Sequence, residues 1–570
     1  MENKLTIKTE QLDDIPLLLS QLEQMGVGSL LDSHFPSHGN WEGLSPGQVA
    51  CVWLTHILSE SNHCLDHVRP WAAQRIESLK RLVHPEIKEL DFTDDRLANL
   101  ISRFSDMESW NCFESALNQQ LLRTYDLKGD CIRHDSTSCS SFRSFNGEES
   151  SLFQYGHSKD HRPDLPQLKM MLATLDPLGM PLATEILPGN CADDPLYIPS
   201  IIRVQESLKT KGLLHVGDSK LSALETRAYL VFSGDAYLCP LSKKQLSDEA
   251  LQSYLQEAFE KGEAFLEIYR LNAKGENVFI AEGFEREHQL TAEVQEIPFC
   301  WKERHLIVRS HSYAQAAQRG LEQRLQTAQK QLEALHQKKQ GKRRPKDRQS
   351  LEECIETILT RHQVSSILEV SIEEISLQRK VRAYKNNPAS LRLEWDFQLQ
   401  VSLNQIQLAH AIRGLGWRVY ATPLSQAQFS LEDAVLCYRN EFRIEHNFKR
   451  IKGPLSLRPM YLTREDHITG LLHLLTLALR VLTLTEFQIR QQLQKQKEPL
   501  PGLYPGNPKR ATFRPTTEKL LQAFKNIHLN VITQSSQVSY HLNDLSDLQL
   551  RILTLLNLPQ NLYYQVRGHF

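Results

Sequence analysis

Three hydrophobic textures succeed one another along the chain. Over residues 1–128 apolar positions recur three and four apart, as in "LSPGQVACVWLTHILSE" and "DFTDDRLANLISRFSD", the spacing of amphipathic helices. "DDIPLLLSQLEQMG" adds a helix with acids as capping candidates at its start and a glycine at its end. Over 129–240 the apolar runs shorten and meet acids or turn residues: "CIRHDST", "KMMLATLD", "LLHVGDS". "DPLGMP", Asp176 to Pro181, predicts a hairpin turn with "LATEIL" as the returning strand. "DPLYIPSIIRVQESLKTKG" predicts a helix that closes on a glycine ahead of the strand "LLHVGD", and this crossover predicts a mixed α/β sheet.

The third texture fills 241–400. A charged helix, "LSDEALQSYLQEAFEKG", precedes strand-like runs such as "EAFLEIYRL" and "ENVFIAEGF". A long polar helix, "SYAQAAQRGLEQRLQTAQKQLEALHQKK", stops in "KKQGKRRPKDR", where Gly341 and Pro345 break it. "SILEVSIEEI" and "LRLEWDFQLQV" read as further strands, and the whole block reads as an insertion within a larger domain. Beyond it, over 401–495, "WRVYATPL" predicts a strand, followed by helices over about 430–452 and 463–495. The tail, 496–570, opens with a loop rich in proline and glycine and ends in a small helical segment. The basic run at 338–348 reads as a solvated loop, with salt-dependent, sequence-blind contact to a DNA backbone as the alternative.

Composition narrows this picture. A chain of 570 residues exceeds one core, so two to four structural units are expected. The chain is 41% hydrophobic and 24% charged, as globular proteins are. Its formal net charge is only -2, so any nucleic-acid surface has to be local. Ten cysteines without a C-x-x-C argue against a zinc ribbon or a disulfide scaffold and for a reducing, cytoplasmic location. The longest apolar run, Gly470 to Phe487, contains His473 and Arg480 and reads as a buried helix rather than a membrane span.

Candidate chemistry is densest in "YRNEFRIEHNFKRIK". On one helix Tyr438, Glu445 and Lys452, spaced by seven, share a face that Glu441 joins, while Phe442 and Ile444 pack inward. A single helical glutamate is usually just solvated. Asp135 and Asp218, however, each end a strand, where acids of α/β sheets project into the ligand crevice. Three converging carboxylates with no sulfur ligand suit Mg²⁺ or Mn²⁺, and a pair of such ions supports in-line phosphoryl transfer. Arg439, Arg443, Lys449, Arg450 and Lys452 are candidates to hold backbone phosphates. His134, beside Asp135 on a strand, is expected to face away from it, and Asp193 and Asp194 to cap the following helix. "VGDSKLS" also matches a serine-hydrolase G-D-S motif around Ser219, without a clear aspartate and histidine pair near the end of the chain.

Nearly the whole chain resembles DDE transposases of bacterial insertion sequences in the group with a Y-R-E-K signature. The resemblance rests on "CIRHDSTS", "GMPLATEILPGNCADD", "LLHVGDSKLSALE" and the stretch from Tyr438, where Tyr438, Glu445 and Lys452 match the signature and Glu441 stands at its arginine position. "QLDDIPLLLSQLEQMGVGSLLDSHFP" and "GLYPGNPKRATFRPTTEKLLQAF" are similar to the ends of one branch of that group. The resemblance implies an RNase H-like catalytic core, a mixed sheet flanked by helices, in two parts (129–240 and 401–495). A strand-and-helix insertion domain (241–400) interrupts it, a helical N-terminal domain (1–128) that recognises DNA ends precedes it, and a helical tail (496–570) follows. It implies Asp135, Asp218 and Glu445 as catalytic ligands of two Mg²⁺ or Mn²⁺ ions, and Tyr438, Arg439, Arg443, Lys449 and Lys452 as DNA contacts. The expected partners are element-end and target DNA, with a dimer on DNA and no membrane. A DNA-binding relative without catalysis, or a nuclease that only hydrolyses, is the alternative.

Overall fold

The computed structural model describes every residue except 1–4, 38, 40, 143–150, 273–274, 337–344, 346, 382–389, 456, 458–461, 535–536 and 568–570. Most of the basic run at 338–348 therefore lies outside the described residues. A strand, β1 (Leu5–Gln11), opens the chain. Helices follow: α1 (Ile15–Gln24), α2 (Val27–His34), α3 (Pro46–Glu60), α4 (Leu65–Ala73), α5 (Ile76–Leu82), α6 (Asp94–Phe104) and α7 (Met107–Thr124). Next come β2 (Cys131–Ser140), β3 (Gln167–Leu175), β4 (Met180–Pro188), α8 (Tyr197–Leu208), β5 (Leu214–Gly217), α9 (Leu224–Phe232) and β6 (Ala236–Pro240). The middle of the chain holds α10 (Asp248–Glu260), β7 (Leu266–Leu271), β8 (Asn277–Val294), β9 (Ile297–Ser310), α11 (His311–His336), α12 (Arg348–His362), β10 (Leu368–Val381), β11 (Ser390–Leu403), α13 (Gln405–Arg413) and β12 (Trp417–Thr422). The last part holds α14 (Leu431–Tyr438), α15 (Phe442–Lys452), α16 (Glu465–Gln496), α17 (Thr517–Gln522), β13 (His528–Gln534), β14 (Gln537–Leu542) and α18 (Asp547–Leu555).

These elements form two compact units. The first comprises Met1–Cys239, Leu290–Trp301 and Cys437–Phe570. Its main strands are ordered β4-β3-β2-β5-β6. The first three are antiparallel, while β5 runs parallel to β2 and β6 parallel to β5. Every residue of β3 is buried, so that strand is covered on both faces. The β3–β4 hairpin turns through Asp176 to Gly179, where "DPLG" predicts it; Gly179 takes a φ of 74°. The tail expected to be helical carries β13 and β14, and β1 pairs with β13. Five of the seven residues of β1 are exposed in a row before one buried position, so it lacks the alternating pattern that marks a half-buried strand.

One apolar cluster runs from Leu12 in the helical region through Leu172 of β3 to Val566 in the tail. Its axis is α16. That helix is long and apolar enough to cross a membrane, yet 94% of its most apolar stretch is buried inside the protein. The two polar residues that interrupt it find partners there. His473 Nδ1 lies 2.8 Å from the Phe104 carbonyl and its ring stacks on Trp110 at 4.3 Å. Arg480 donates to the Pro181 carbonyl at 2.9 Å and to Glu114 at 2.7 Å. Gly470 lets α16 touch α6: a Cβ there would lie 1.8 Å from the Ile101 carbonyl oxygen.

The second unit comprises Pro240–Gln289 and Lys302–Leu436. Here β12, β9, β8 and β7 follow one another in a sheet, and Phe284, Ile307, Trp417 and Val419 pack on Leu255 and Ala258 of α10. A second core joins Leu321, Leu325 and Leu332 of α11, Leu351 and Ile355 of α12, and Leu399 of the β10–β11 hairpin. Helices α12 and α13 have no counterpart among the elements expected from the sequence pattern. The tip of the β8–β9 hairpin belongs to the first unit, where Trp301 Nε1 donates to the Tyr237 hydroxyl at 3.0 Å.

Candidate active site

Parallel pairing of β2 and β5 sets His134 opposite Gly217. The next residue after each is an aspartate, so Asp135 and Asp218 lie side by side, about one interstrand spacing (~4.8 Å) apart at the backbone. Asp218 follows the end of β5, but Asp135, expected at a strand end, lies in mid-strand, because pairing with β3 carries β2 on to Ser140. Gly217 clears the approach: a Cβ there would lie 3.1 Å from the Tyr197 ring. The Tyr197 hydroxyl donates to Asp218 Oδ1 at 2.6 Å, and the Lys220 amide donates to the same oxygen at 2.9 Å. Burial and the two aspartates push the Tyr197 hydroxyl well above the usual phenol range, so it remains a proton donor.

Asp135 Oδ1 accepts from its neighbour's amide, Ser136 N, at 2.7 Å and pairs with Lys159 Nζ at 3.1 Å. Burial raises the Asp135 carboxyl above its ordinary value, Lys159 works against that rise, and the charge of Asp218 adds to it. His134 turns the other way, as strand alternation requires. Its Nε2 lies 2.8 Å from His215 Nδ1 and its Nδ1 lies 3.0 Å from the Ser200 hydroxyl.

The facing helical segment differs from its expected form. The span 430–452 is not one helix: a 3₁₀ turn, Arg439–Glu441, separates α14 from α15. The Cys437 carbonyl, four residues before Glu441, accepts from Arg133 Nη2 at 2.5 Å at this break. Ile444, Phe448 and Ile451 anchor α15 in the core, whereas Phe442, expected to pack inward, is 53% exposed. The turn carries Glu441 toward the aspartates. Arg133, Asp135, Gly217, Tyr438, Glu441 and Ile444 line one narrow cavity. Burial raises the Glu441 carboxyl above its ordinary value, a hydrogen bond from Tyr438 opposes the rise, and Asp135, Asp218 and Glu445 each add to it. Glu445, one turn further on, is exposed.

The basic residues separate into distinct environments. Lys452 Nζ bonds Thr137 Oγ1 at 2.8 Å and Asp160 Oδ1 at 2.9 Å, so it is anchored on β2 two residues beyond Asp135. Arg443 donates to the Pro177 carbonyl of the β3–β4 turn. Arg439 is half-buried and Lys449 exposed. Arg450 does not face a ligand: it is 3% exposed and paired with Glu486 and Glu518. Helix geometry explains this, since Arg450 lies between buried Phe448 and Ile451 on the core side of α15. Asp193 and Asp194 make no side-chain cap either; Asp193 pairs with Lys169 at 2.6 Å and Asp194 with Lys220 at 3.4 Å.

A donor set of carboxylate oxygens, two of them raised by burial and mutual repulsion, has the chemistry that a hard divalent cation neutralises. The side chains are not drawn into ligand contact. Among the described residues, the trio of histidine, cysteine or acidic ligand atoms lying within 4.8 Å of one another is Cys64, Asp66 and His67, not Asp135, Asp218 and a glutamate. Lys159 and Tyr197, which hold the two aspartates, escape a reading of the sequence. "DPLYIP" marks Tyr197 only as part of a helix start, and Lys159 lies in an irregular stretch with no periodic signal.

The fold and site together define a mixed α/β protein with its acids gathered where the parallel pairing of β2 with β5 stops. No protein-family description matches the chain, and no curated protein matches it. Among solved structures it is similar to a piggyBac transposase synaptic complex with hairpin DNA, determined by cryo-EM. Identity is 9%, 89% of this chain and 79% of that chain are covered, and the TM-score is 0.33, a likeness too slight to bear on fold or activity.

Proposed function

We propose that the chain is a metal-dependent DNA transposase that cuts at the ends of a mobile element and joins the exposed 3′-hydroxyl to target DNA. The observation that carries this reading is the β2–β5 register, which sets Asp135 beside Asp218, with Glu441 of the Tyr438–Lys452 segment near them. The order β4-β3-β2-β5-β6, antiparallel and then parallel, supports the RNase H-like reading of the core.

Asp135, Asp218 and Glu445 are the residues assigned to Mg²⁺ or Mn²⁺, two ions in this reading. Bound there, such ions would activate the attacking oxygen and offset charge on the leaving one. The protein's own part is positional. Tyr197 fixes the Asp218 carboxylate, Lys159 neutralises Asp135, and Lys452, held against β2, presents a cation beside the strand to be cut. Tyr438, Arg439, Arg443 and Lys449 extend that surface along the DNA backbone. The helical region before β2 recognises the element ends, and two copies hold two ends together. Action on the DNA of its own cell implies a cytoplasmic location.

A specific observation favours a variant of this reading: Glu441, not Glu445, leans on the aspartates. One assay separates the possibilities. Purified protein is incubated with Mg²⁺ and labelled element ends. Joined product supports a transposase, nicks alone a nuclease, and bound but intact DNA a binding protein. Glu445→Gln is expected to abolish cleavage with DNA binding retained, and Glu441→Gln to leave substantial activity. The reverse pattern assigns the third ligand to Glu441.

A further inference from the structure

Four groups meet at the start of β2: Cys131, Arg133, Asp176 and Cys437. Cys131 is the first residue of that strand, and Cys437 directly precedes Tyr438 at the end of α14. Both are free thiols and both are partly exposed. The Cys131 sulfur lies 3.8 Å from Asp176 Oδ2, and the two thiols are near enough to shift each other's ionisation. Arg133 Nη2 reaches Cys437 twice, at the carbonyl (2.5 Å) and at the sulfur (3.7 Å), while Arg133 Nε is tied to Asp176 at 2.6 Å. A guanidinium thus stands over one sulfur and a carboxylate beside the other.

We propose that Cys131 and Cys437 form an oxidation-sensitive dithiol, with Cys437 as the reacting sulfur and Cys131 as its resolving partner. The charges divide the roles. The neighbouring Cys131 thiol and then the nearby Arg133 lower the Cys437 thiol, against the opposing effect of burial. Cys437, burial and Asp176 push Cys131 far up, so it keeps its proton. The oxidant is a peroxide. The Cys437 thiolate attacks one peroxide oxygen, the O–O bond breaks, and the leaving hydroxide takes up the proton that Cys437 released on ionising, giving one water and the Cys437 sulfenic acid. The Cys131 sulfur then attacks the sulfenic sulfur, its proton goes to the departing hydroxyl, and water leaves as the S–S bond forms. Two thiols and one peroxide give one disulfide and two waters.

The bond would join the first residue of β2, the strand that bears Asp135, to the residue before Tyr438, at the point where the chain returns to the first unit. Such a pair is compatible with a reducing compartment, where the disulfides that do form are transient and regulatory. It does not depend on the carboxylates binding metal.

The test treats the full chain with a small excess of hydrogen peroxide, blocks the remaining thiols with N-ethylmaleimide, and maps peptides by mass spectrometry. The expected result is a peptide linking Cys131 to Cys437, formed about tenfold faster than oxidation of the exposed Cys112 and Cys300. In Cys131→Ser, a dimedone adduct should accumulate on Cys437; in Cys437→Ser, Cys131 should stay reduced over the same time. Thiol reduction should restore the unlinked peptides. Oxidation of Cys437 no faster than Cys112 and Cys300, or linkage of either cysteine to a different partner, would overturn the proposal.

Discussion

Lys159 Nζ lies 3.1 Å from Asp135 Oδ1 and also donates to the Ser136 carbonyl at 2.5 Å. The ammonium therefore occupies one side of the carboxylate that the proposed metal site requires. Removing it should free Asp135 for a divalent ion. Lys159→Met is expected to bind Mn²⁺ more tightly than wild type, by up to about tenfold, as read by electron paramagnetic resonance. Asp135→Asn should lose Mn²⁺ binding. Unchanged affinity in both variants would place any ion elsewhere.

Two basic residues one position apart on α15 should behave in opposite ways. Arg450 is buried between Glu486 and Glu518, so Arg450→Ala leaves two acids without their shared cation and should cost about 3–5 kcal/mol in urea unfolding. Lys449 is exposed. Lys449→Ala should leave unfolding unchanged and reduce the salt slope of DNA binding by about one released counterion.

Close packing of α16 on α6 depends on a missing side chain. A Cβ at Gly470 would lie 1.8 Å from the Ile101 carbonyl oxygen, and backbone on both sides leaves little room for adjustment. Gly470→Ala should destabilise the first unit by about 3 kcal/mol despite the better helix propensity of alanine, visible as a lower urea midpoint.

Acid should weaken the fold through histidines kept neutral by burial. Burial lowers His56 and His63 to about 4 and His473 to about 3, from an ordinary 6.5. A depressed folded value means that the unfolded chain takes up protons first. The stability these groups contribute is complete above pH 6.5 and is lost as pH falls toward 4 and 3. Asp135 and Glu441 act with the opposite sign, because their folded values are raised and protonation relieves them. Thermal stability should therefore fall between about pH 7 and pH 5. His473→Gln, which keeps a donor for the Phe104 carbonyl but cannot titrate, should flatten that dependence by about one proton.

Much of the architecture is legible in local pattern. The 3.6-residue period marks α3 and α6, and "DPLG" marks the hairpin between β3 and β4. His473 and Arg480 within an apolar run mark α16 as a core helix, since each needs a protein partner in the interior. Asp135 and Asp218 stand out because each ends an apolar strand-like run. What stays hidden is set by residues distant in sequence. β1 pairs with a strand more than five hundred positions away, and no local period announces that partner. The 3₁₀ break before α15 coincides with an arginine from β2 on the Cys437 carbonyl, and it tilts Glu441, rather than Glu445, toward the aspartates.

The sequence by itself determined which segments have an apolar face to bury and which acids follow apolar strand-like runs, because helix and strand periods and turn chemistry are properties of neighbouring residues. Only the tertiary structure decided which charges end up together. Whether Arg450 meets DNA or Glu486, and whether a thiol meets solvent or a second thiol, depends on long-range packing. Electrostatic and hydrogen-bond energies at those sites follow distance and burial, and neither is encoded in any short stretch of the chain.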